Sequence, residues 1–284
     1  MRISVIGAGA MGSGIAEAFA QAGAEFEVRL CDVSEGLAQA GKDKIARRLE
    51  KRAAKGQVAR DEAEAILGRV QIGTLERASD SDLVLEAVVE SADVKRSIFA
   101  ELDAACPSGT LFASNTSSLS ITQLSEGLGR PLVGMHFFNP APVMRLVEVV
   151  AGLTTPAAAV ADVTVIVETI GKVPVVVADS AGFVVNRIAI PMINEAVEVL
   201  AEGVASAQDI DQAMRLGVNH PMGPLALGDL IGLDVVLAIM RTLQRETGLD
   251  KYRPAPLLVR YVRAGRLGRK SGRGFHDYRT QGAR

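Results

Sequence analysis

A short apolar strand runs straight into Gly7-Ala8-Gly9-Ala10-Met11-Gly12, and no other stretch constrains the fold as much. Arg2 to Ile6 alternate and end β-branched, as a buried strand does. The G-x-G-x-x-G spacing then opens a helix through Ile15 to Ala22, closed by Gly23. Gly7 suits a tight turn, Gly9 lets a pyrophosphate approach the backbone, and Gly12 lets the helix lie close on a sheet. The free N–H groups and partial positive charge of the helix start attract phosphate. A second strand, Phe26 to Leu30, leads to Asp32, twenty residues beyond Gly12. An acid there accepts the ribose hydroxyls of NAD and repels the 2′-phosphate of NADP. Gly7, Gly9, Met11, Gly12 and Asp32 are therefore the expected cofactor contacts, with NAD as the cofactor. The competing reading is a glycine-rich turn of some other α/β protein, with Asp32 capping the next helix.

Strand-like and helical stretches continue to alternate. Strands are expected at Val70 to Gly73, Leu83 to Glu86, Leu111 to Ala113, Val133 to Phe137, Leu146 to Val150 and Val173 to Val177. Helices are expected at Val94 to Ala105 and Ala157 to Ile170. Such alternation implies an α/β, Rossmann-like, doubly wound and mostly parallel sheet with helices on both faces. A helical hairpin, Glu35 to Lys55 and Arg60 to Leu67, is inserted after Asp32. Its polar face carries Arg47, Arg48, Lys51, Arg52 and Lys55, which suits either a solvated surface or an anion-binding arm. From Gly182 onward only helical periodicity remains, at Val184 to Ala201, Ala207 to Leu216, Pro224 to Ile231, Leu233 to Glu246 and Pro256 to Ala264. A glycine-punctuated basic loop, Arg266 to Phe275, follows them. The expected domains are 1–181, binding the dinucleotide, and 182–284, all-helical.

Composition excludes several function classes. The net charge of −2 is mixed in sign, so nothing pulls the whole chain toward nucleic acid or an anionic membrane. With no Trp and 4 % aromatics there is little to stack on bases. Cys31 and Cys106 are too few for a disulfide framework or a zinc site, so no metal is expected. No apolar run is long enough to span a bilayer. With the first strand beginning at residue 2, no targeting segment is expected, and the reading is soluble and cytoplasmic.

Ligands of doubly wound sheets sit beyond the carboxyl ends of the strands. That rule points to Glu86 through Glu90, Ser114 through Ser118 and His136 through Pro140. His136, one of three histidines, follows an apolar strand, and imidazole titrates where a dehydrogenase needs an acid/base. Glu148 is a lone acid in Leu146-Val147-Glu148-Val149-Val150, costly to bury unless paired. Spacing equally allows a satisfied strand-end histidine and an outward-facing edge glutamate.

Ser114-Asn115-Thr116-Ser117-Ser118-Leu119 and the stretch from His136 to Val150 closely resemble the L-3-hydroxyacyl-CoA dehydrogenase family. So do Gly182-Phe183-Val184-Val185-Asn186-Arg187, Pro221-Met222-Gly223-Pro224 and Leu267 to Phe275. The resemblance covers essentially the whole chain and fits the short, stand-alone members. It implies an NAD-dependent oxidoreductase interconverting (S)-3-hydroxyacyl-CoA and 3-oxoacyl-CoA. His136 becomes the acid/base, Glu148 its orienting partner, and Ser117 and Asn186 donors near the reacting oxygens. Glu90, Lys95, Asn115 and Ser117 join the cofactor contacts. Lys55 matches a lysine that approaches the CoA nucleotide, and Arg48 is an added phosphate contact where some relatives have a small polar residue. Ala181 stands where many relatives have Pro. The second domain is expected to carry the substrate cleft and to form a homodimer. Two alternatives stand beside this reading: a dehydrogenase of a small free hydroxy acid, and a dinucleotide-binding protein without turnover.

Overall fold

Residues 1–279 are described by a computed structural model. In the first part of the chain β1 (Arg2–Ile6), α1 (Ala10–Ala22) and β2 (Glu27–Cys31) precede a helical hairpin, α2 (Glu35–Ala54) and α3 (Arg60–Arg69). Next come β3 (Val70–Gly73), β4 (Leu83–Glu86), α4 (Ala92–Ala105), β5 (Leu111–Ser114) and a single-turn α5 (Ile121–Leu124). The sheet is completed by β6 (Leu132–Phe137), β7 (Leu146–Ala151), α6 (Ala157–Thr169) and β8 (Val173–Ala178). Eight strands form one sheet in the order β3-β2-β1-β4-β5-β6-β7-β8. The chain reverses its direction of sheet growth between β1 and β4, the place where doubly wound folds bind nucleotides.

The sheet is parallel as far as β6, where β7 turns back and pairs antiparallel, and β8 then runs parallel to β7. Only residues 138–145 connect β6 to β7, too few for the crossover that a parallel partner needs. Ile3, Val5, Phe19, Val28, Leu30 and Leu85 are wholly buried between sheet and helices. Full burial of one such side chain contributes roughly 1.5–3 kcal/mol. Ser34 caps α2 by accepting a hydrogen bond from the Leu37 N–H at 3.3 Å. α5 escaped the sequence reading because one turn carries too little periodicity to stand out.

The chain divides into two compact units, the first ending at Ser180 and the second starting at Ala181. The second unit holds α7 (Val185–Ala201), α8 (Ala207–Gly217), α9 (Pro224–Ile231), α10 (Leu233–Thr247) and α11 (Pro256–Arg263). Pro224 and Pro256 open their helices, where the missing N–H costs nothing, and Gly248 closes α10 in the left-handed region at φ 67°. Ile193, Val197, Leu225, Val236, Met240 and Leu258 form its core.

The segment after α11 is more structured than the loop expected there, with a 3₁₀ turn at Arg269–Ser271 and isolated bridges at Arg273. Buried Asp229 fastens it, accepting from the Phe275 N–H at 3.0 Å, the His276 N–H at 2.9 Å and the Tyr278 hydroxyl at 3.1 Å. His276 Nε2 meets Asp211 Oδ2 at 2.7 Å, and the Asp211 carboxylate also accepts from the Leu225 and Ala226 N–H groups.

Candidate active site

The glycine loop is shaped by contacts that leave no room for side chains. Gly7 has φ +100°, and a Cβ there would stand 2.8 Å from the Ala87 carbonyl oxygen. A Cβ on Gly12 would stand 1.8 Å from the Gly7 carbonyl oxygen, so α1 lies directly on the turn. At Gly9 nothing lies within 4 Å of the same position, and that residue starts α1 without a side-chain cap. Open space in front of uncapped helix N–H groups suits a pyrophosphate. Met11 packs against the core beside this loop. Asp32, just past β2, accepts from the Ala8 N–H at 2.7 Å and the Val33 N–H at 2.8 Å. Two carboxylate oxygens offer about four acceptor sites, so the tie to the loop leaves capacity for ribose hydroxyls. The donor and acceptor set fits NAD.

In the antiparallel ladder of β6 and β7, His136 stands directly opposite Glu148. His136 Nδ1 and Glu148 Oε2 are 2.8 Å apart, with 5 % and 1 % of the residues exposed. The His136 ring also lies 4.5 Å from that of Phe138. Engagement of Nδ1 by a buried carboxylate fixes the orientation of the ring and leaves its other nitrogen for a ligand.

Beside this pair, the loop after β5 hangs on carboxylates. Glu90 Oε1 accepts from Thr116 Oγ1 and the Ser117 N–H, each at 2.8 Å. It also accepts from Ser117 Oγ, the Ser118 N–H and Ser118 Oγ at 3.1 Å. Burial alone would raise the Glu90 carboxyl, but the Lys95 charge and these donors hold it below the usual glutamate range. Asn115 Oδ1 accepts from the Phe137 N–H at 2.8 Å, which joins this loop to the end of β6 next to His136.

Two of the expected site residues engage buried carboxylates. Arg48 is held by α1: its Nε donates to Glu17 Oε2 at 2.7 Å and its amino groups reach Ser13. Glu17 is only 1 % exposed on α1, and a buried carboxylate draws the nearest cations to itself. Arg48 therefore clamps α2 to α1. Lys95, an expected cofactor contact, is 1 % exposed, with Nζ 2.6 Å from Glu86 and 3.3 Å from Glu90. Lys55 is exposed at the C-terminal cap of α2, and among the described residues its side chain has no ion-pair partner. Asn186 lies in the first turn of α7, in the second unit.

Glu17 and Glu86 escaped the sequence reading as members of buried networks. The signal that singled out Glu148, a lone acid within an apolar run, was present at both, in Ile15-Ala16-Glu17-Ala18-Phe19 and Leu83-Val84-Leu85-Glu86-Ala87.

Residues 2–180 match the family profile described as 3-hydroxyacyl-CoA dehydrogenase, NAD binding domain, and residues 182–278 that of the C-terminal domain. A probable 3-hydroxybutyryl-CoA dehydrogenase of Bacillus subtilis is 50 % identical over 280 residues, covering 98 % of this chain and 97 % of that protein. The 3-hydroxybutyryl-CoA dehydrogenase of Clostridioides difficile is 50 % identical over 281 residues, covering 98 % and 99 %. Among solved structures, (S)-3-hydroxybutyryl-CoA dehydrogenase from Ralstonia eutropha superposes with a TM-score of 0.92 at 44 % identity, covering 98 % of both chains.

Proposed function

The chain belongs to the 3-hydroxyacyl-CoA dehydrogenase family and is an NAD-dependent oxidoreductase, and from that premise we propose that it interconverts (S)-3-hydroxybutyryl-CoA and acetoacetyl-CoA. The observation that carries the chemistry is the buried His136–Glu148 pair, 2.8 Å apart. NAD, when bound, takes up or delivers the hydride at the substrate's third carbon. His136 accepts the hydroxyl proton in oxidation and, protonated, gives it to the 3-oxo oxygen in reduction. Glu148 holds the imidazole by Nδ1 and supports the charge that forms. Ser117, its hydroxyl turned from Glu90 toward the ligand, and Asn186 are the donors proposed for the reacting oxygens, where negative charge develops. Asp32 receives the adenosine ribose, and the α1 start receives the pyrophosphate. Lys55 meets the nucleotide phosphates of the CoA moiety.

A homodimer formed through the second unit belongs to the same proposal. Its support is the apolar surface that unit leaves exposed, with Ile188 at 67 % and Leu216 at 77 %. Cytoplasmic location is likewise proposed, supported by two cysteines that are both free and buried. Among the described residues no helix is long and apolar enough to cross a membrane. The named relatives act on CoA thioesters, so the free-hydroxy-acid and non-catalytic alternatives gain no support.

The deciding experiment follows NADH absorbance with acetoacetyl-CoA. The expected result is rapid NADH consumption, with far weaker response to free acetoacetate. Consumption with neither substrate overturns the assignment.

A further inference from the structure

Glu86 ends β4 with no solvent exposure, directly beneath the loop that carries Ser117. Its Oε1 accepts from the Val88 N–H at 2.7 Å and from Lys95 Nζ at 2.6 Å, and its Oε2 accepts from Ser114 Oγ at 2.6 Å. Two routes lead from this carboxylate into the loop. Along the first, Ser114 Oγ accepts from the Thr116 N–H at 3.2 Å. Along the second, Lys95 reaches Glu90 at 3.3 Å, and Glu90 gathers the donors of Thr116, Ser117 and Ser118. The Glu86 carbonyl also accepts from the Asn115 N–H at 2.8 Å, so the main chain holds Asn115 while the side-chain routes hold Thr116 to Ser118.

A buried carboxylate–ammonium pair is weak evidence for stability, because well-packed apolar residues often serve as well. Apolar residues here would fill β4 and α4 equally but would leave Ser114 without an acceptor and Glu90 without its cation. We propose that Glu86 is a positioning residue for hydride transfer. Through Ser114 on one side and Lys95–Glu90 on the other, it fixes the Asn115–Ser118 segment so that Ser117 faces the reacting oxygen. Neither substrate nor cofactor touches it. The inference rests on the role given to Ser117 above.

The test is Glu86→Gln, which keeps the volume and removes the charge, alongside Ser114→Ala, which removes a single hydroxyl and spares the ion pair. Both variants are expected to lower kcat for acetoacetyl-CoA reduction with little change in KM, Glu86→Gln by up to about a hundredfold, as misplaced catalytic groups do. In a Ser117→Ala background Glu86→Gln is expected to lower kcat further by less than about threefold, since two changes on one route do not add. Amide exchange across residues 114–118 is expected to quicken in both variants. Wild-type kcat in both folded variants overturns the proposal, as does an equal fold-loss with and without Ser117. The exchange measurement needs no turnover. Unchanged protection there refutes the hold of Glu86 on the segment, whereas a wild-type protein inactive on acetoacetyl-CoA refutes only the substrate reading.

Discussion

His136 and Glu148 face each other across the antiparallel pairing of β6 and β7, with Nδ1 and Oε2 at 2.8 Å. Directly opposed residues share one face of the sheet, so the ladder itself delivers the carboxylate to the ring. With only 5 % and 1 % of the two residues exposed, water does not weaken the pair.

His136→Gln is therefore expected to retain NAD binding while losing on the order of 10²–10⁴-fold in kcat, the range for a general acid–base group. Glu148→Gln preserves the size of the partner but removes the charge opposite the proton that His136 takes up during the reaction, so kcat should fall while NAD binding is retained. Steady-state kinetics across pH checks both. An active His136→Gln enzyme with the wild-type profile would send the proton elsewhere.

Asp32 has two duties, and its substitution should show both. Asp32→Ala removes the acceptor expected for the adenosine ribose together with the tie to the Ala8 N–H at 2.7 Å. Hydrogen bonds to charged groups contribute about 1.5–3 kcal/mol, so NAD affinity should fall roughly tenfold to a hundredfold. NADP affinity should fall less, because repulsion of the 2′-phosphate is relieved at the same time. Fluorescence titration with NADH and NADPH reads the ratio, and a wild-type preference for NADPH would contradict this use of the acid.

Arg48 and Lys55 should separate cleanly. Arg48→Ala removes the donor to Glu17 Oε2, leaving this buried carboxylate with Gln21 Nε2 at 3.0 Å and Arg52 at 3.4 Å, both on Oε1. Stranding a buried acceptor costs roughly 1–3 kcal/mol, so urea unfolding should shift with little change in KM. Lys55→Ala should leave stability unchanged and raise KM for acetoacetyl-CoA, more at low salt than at high salt. A truncated thioester lacking the nucleotide should not respond to Lys55→Ala. Equal responses to both thioesters would return Lys55 to an ordinary solvated surface.

Much of this was legible because each piece had a local cause. Apolar runs between turn residues located all eight strands to within a residue or so, and Pro224, Pro256 and Gly248 punctuate helices wherever they occur. The reversal at β7 was also within reach, since eight residues between Phe137 and Leu146 cannot hold a crossover helix. The tie of Arg48 to Glu17 was not legible, because a helix face shows where cations cluster, and not which of them a buried acid will claim. Glu17 lies 31 residues away in sequence, and only the packing of α2 on α1 makes them partners. The pairing of Lys95 with Glu86 was likewise not legible, because it depends on how α4 packs against the end of β4.

His276 fastens the segment after α11 to α8 through Asp211. The hydrogen bond with Asp211, reinforced by the nearby Asp229 charge, raises the His276 imidazole above the ordinary histidine value despite partial burial. Tyr278 meets the ring edge-on at 6.4 Å and is itself pushed up to about 12 by burial, so it stays neutral across the range tested. A histidine raised in the folded state stabilises fully below its unfolded value, ordinarily about 6.5. That contribution is lost as pH climbs through the raised folded value. The thermal midpoint of the wild type, taken relative to His276→Gln, should therefore be highest near pH 6 and should converge on the variant as pH rises past the raised value. Paired melting curves at matched ionic strength from pH 6 to 9 measure the difference. A difference independent of pH would mean that Asp211 holds a neutral ring, and that the contact is an ordinary hydrogen bond without charge.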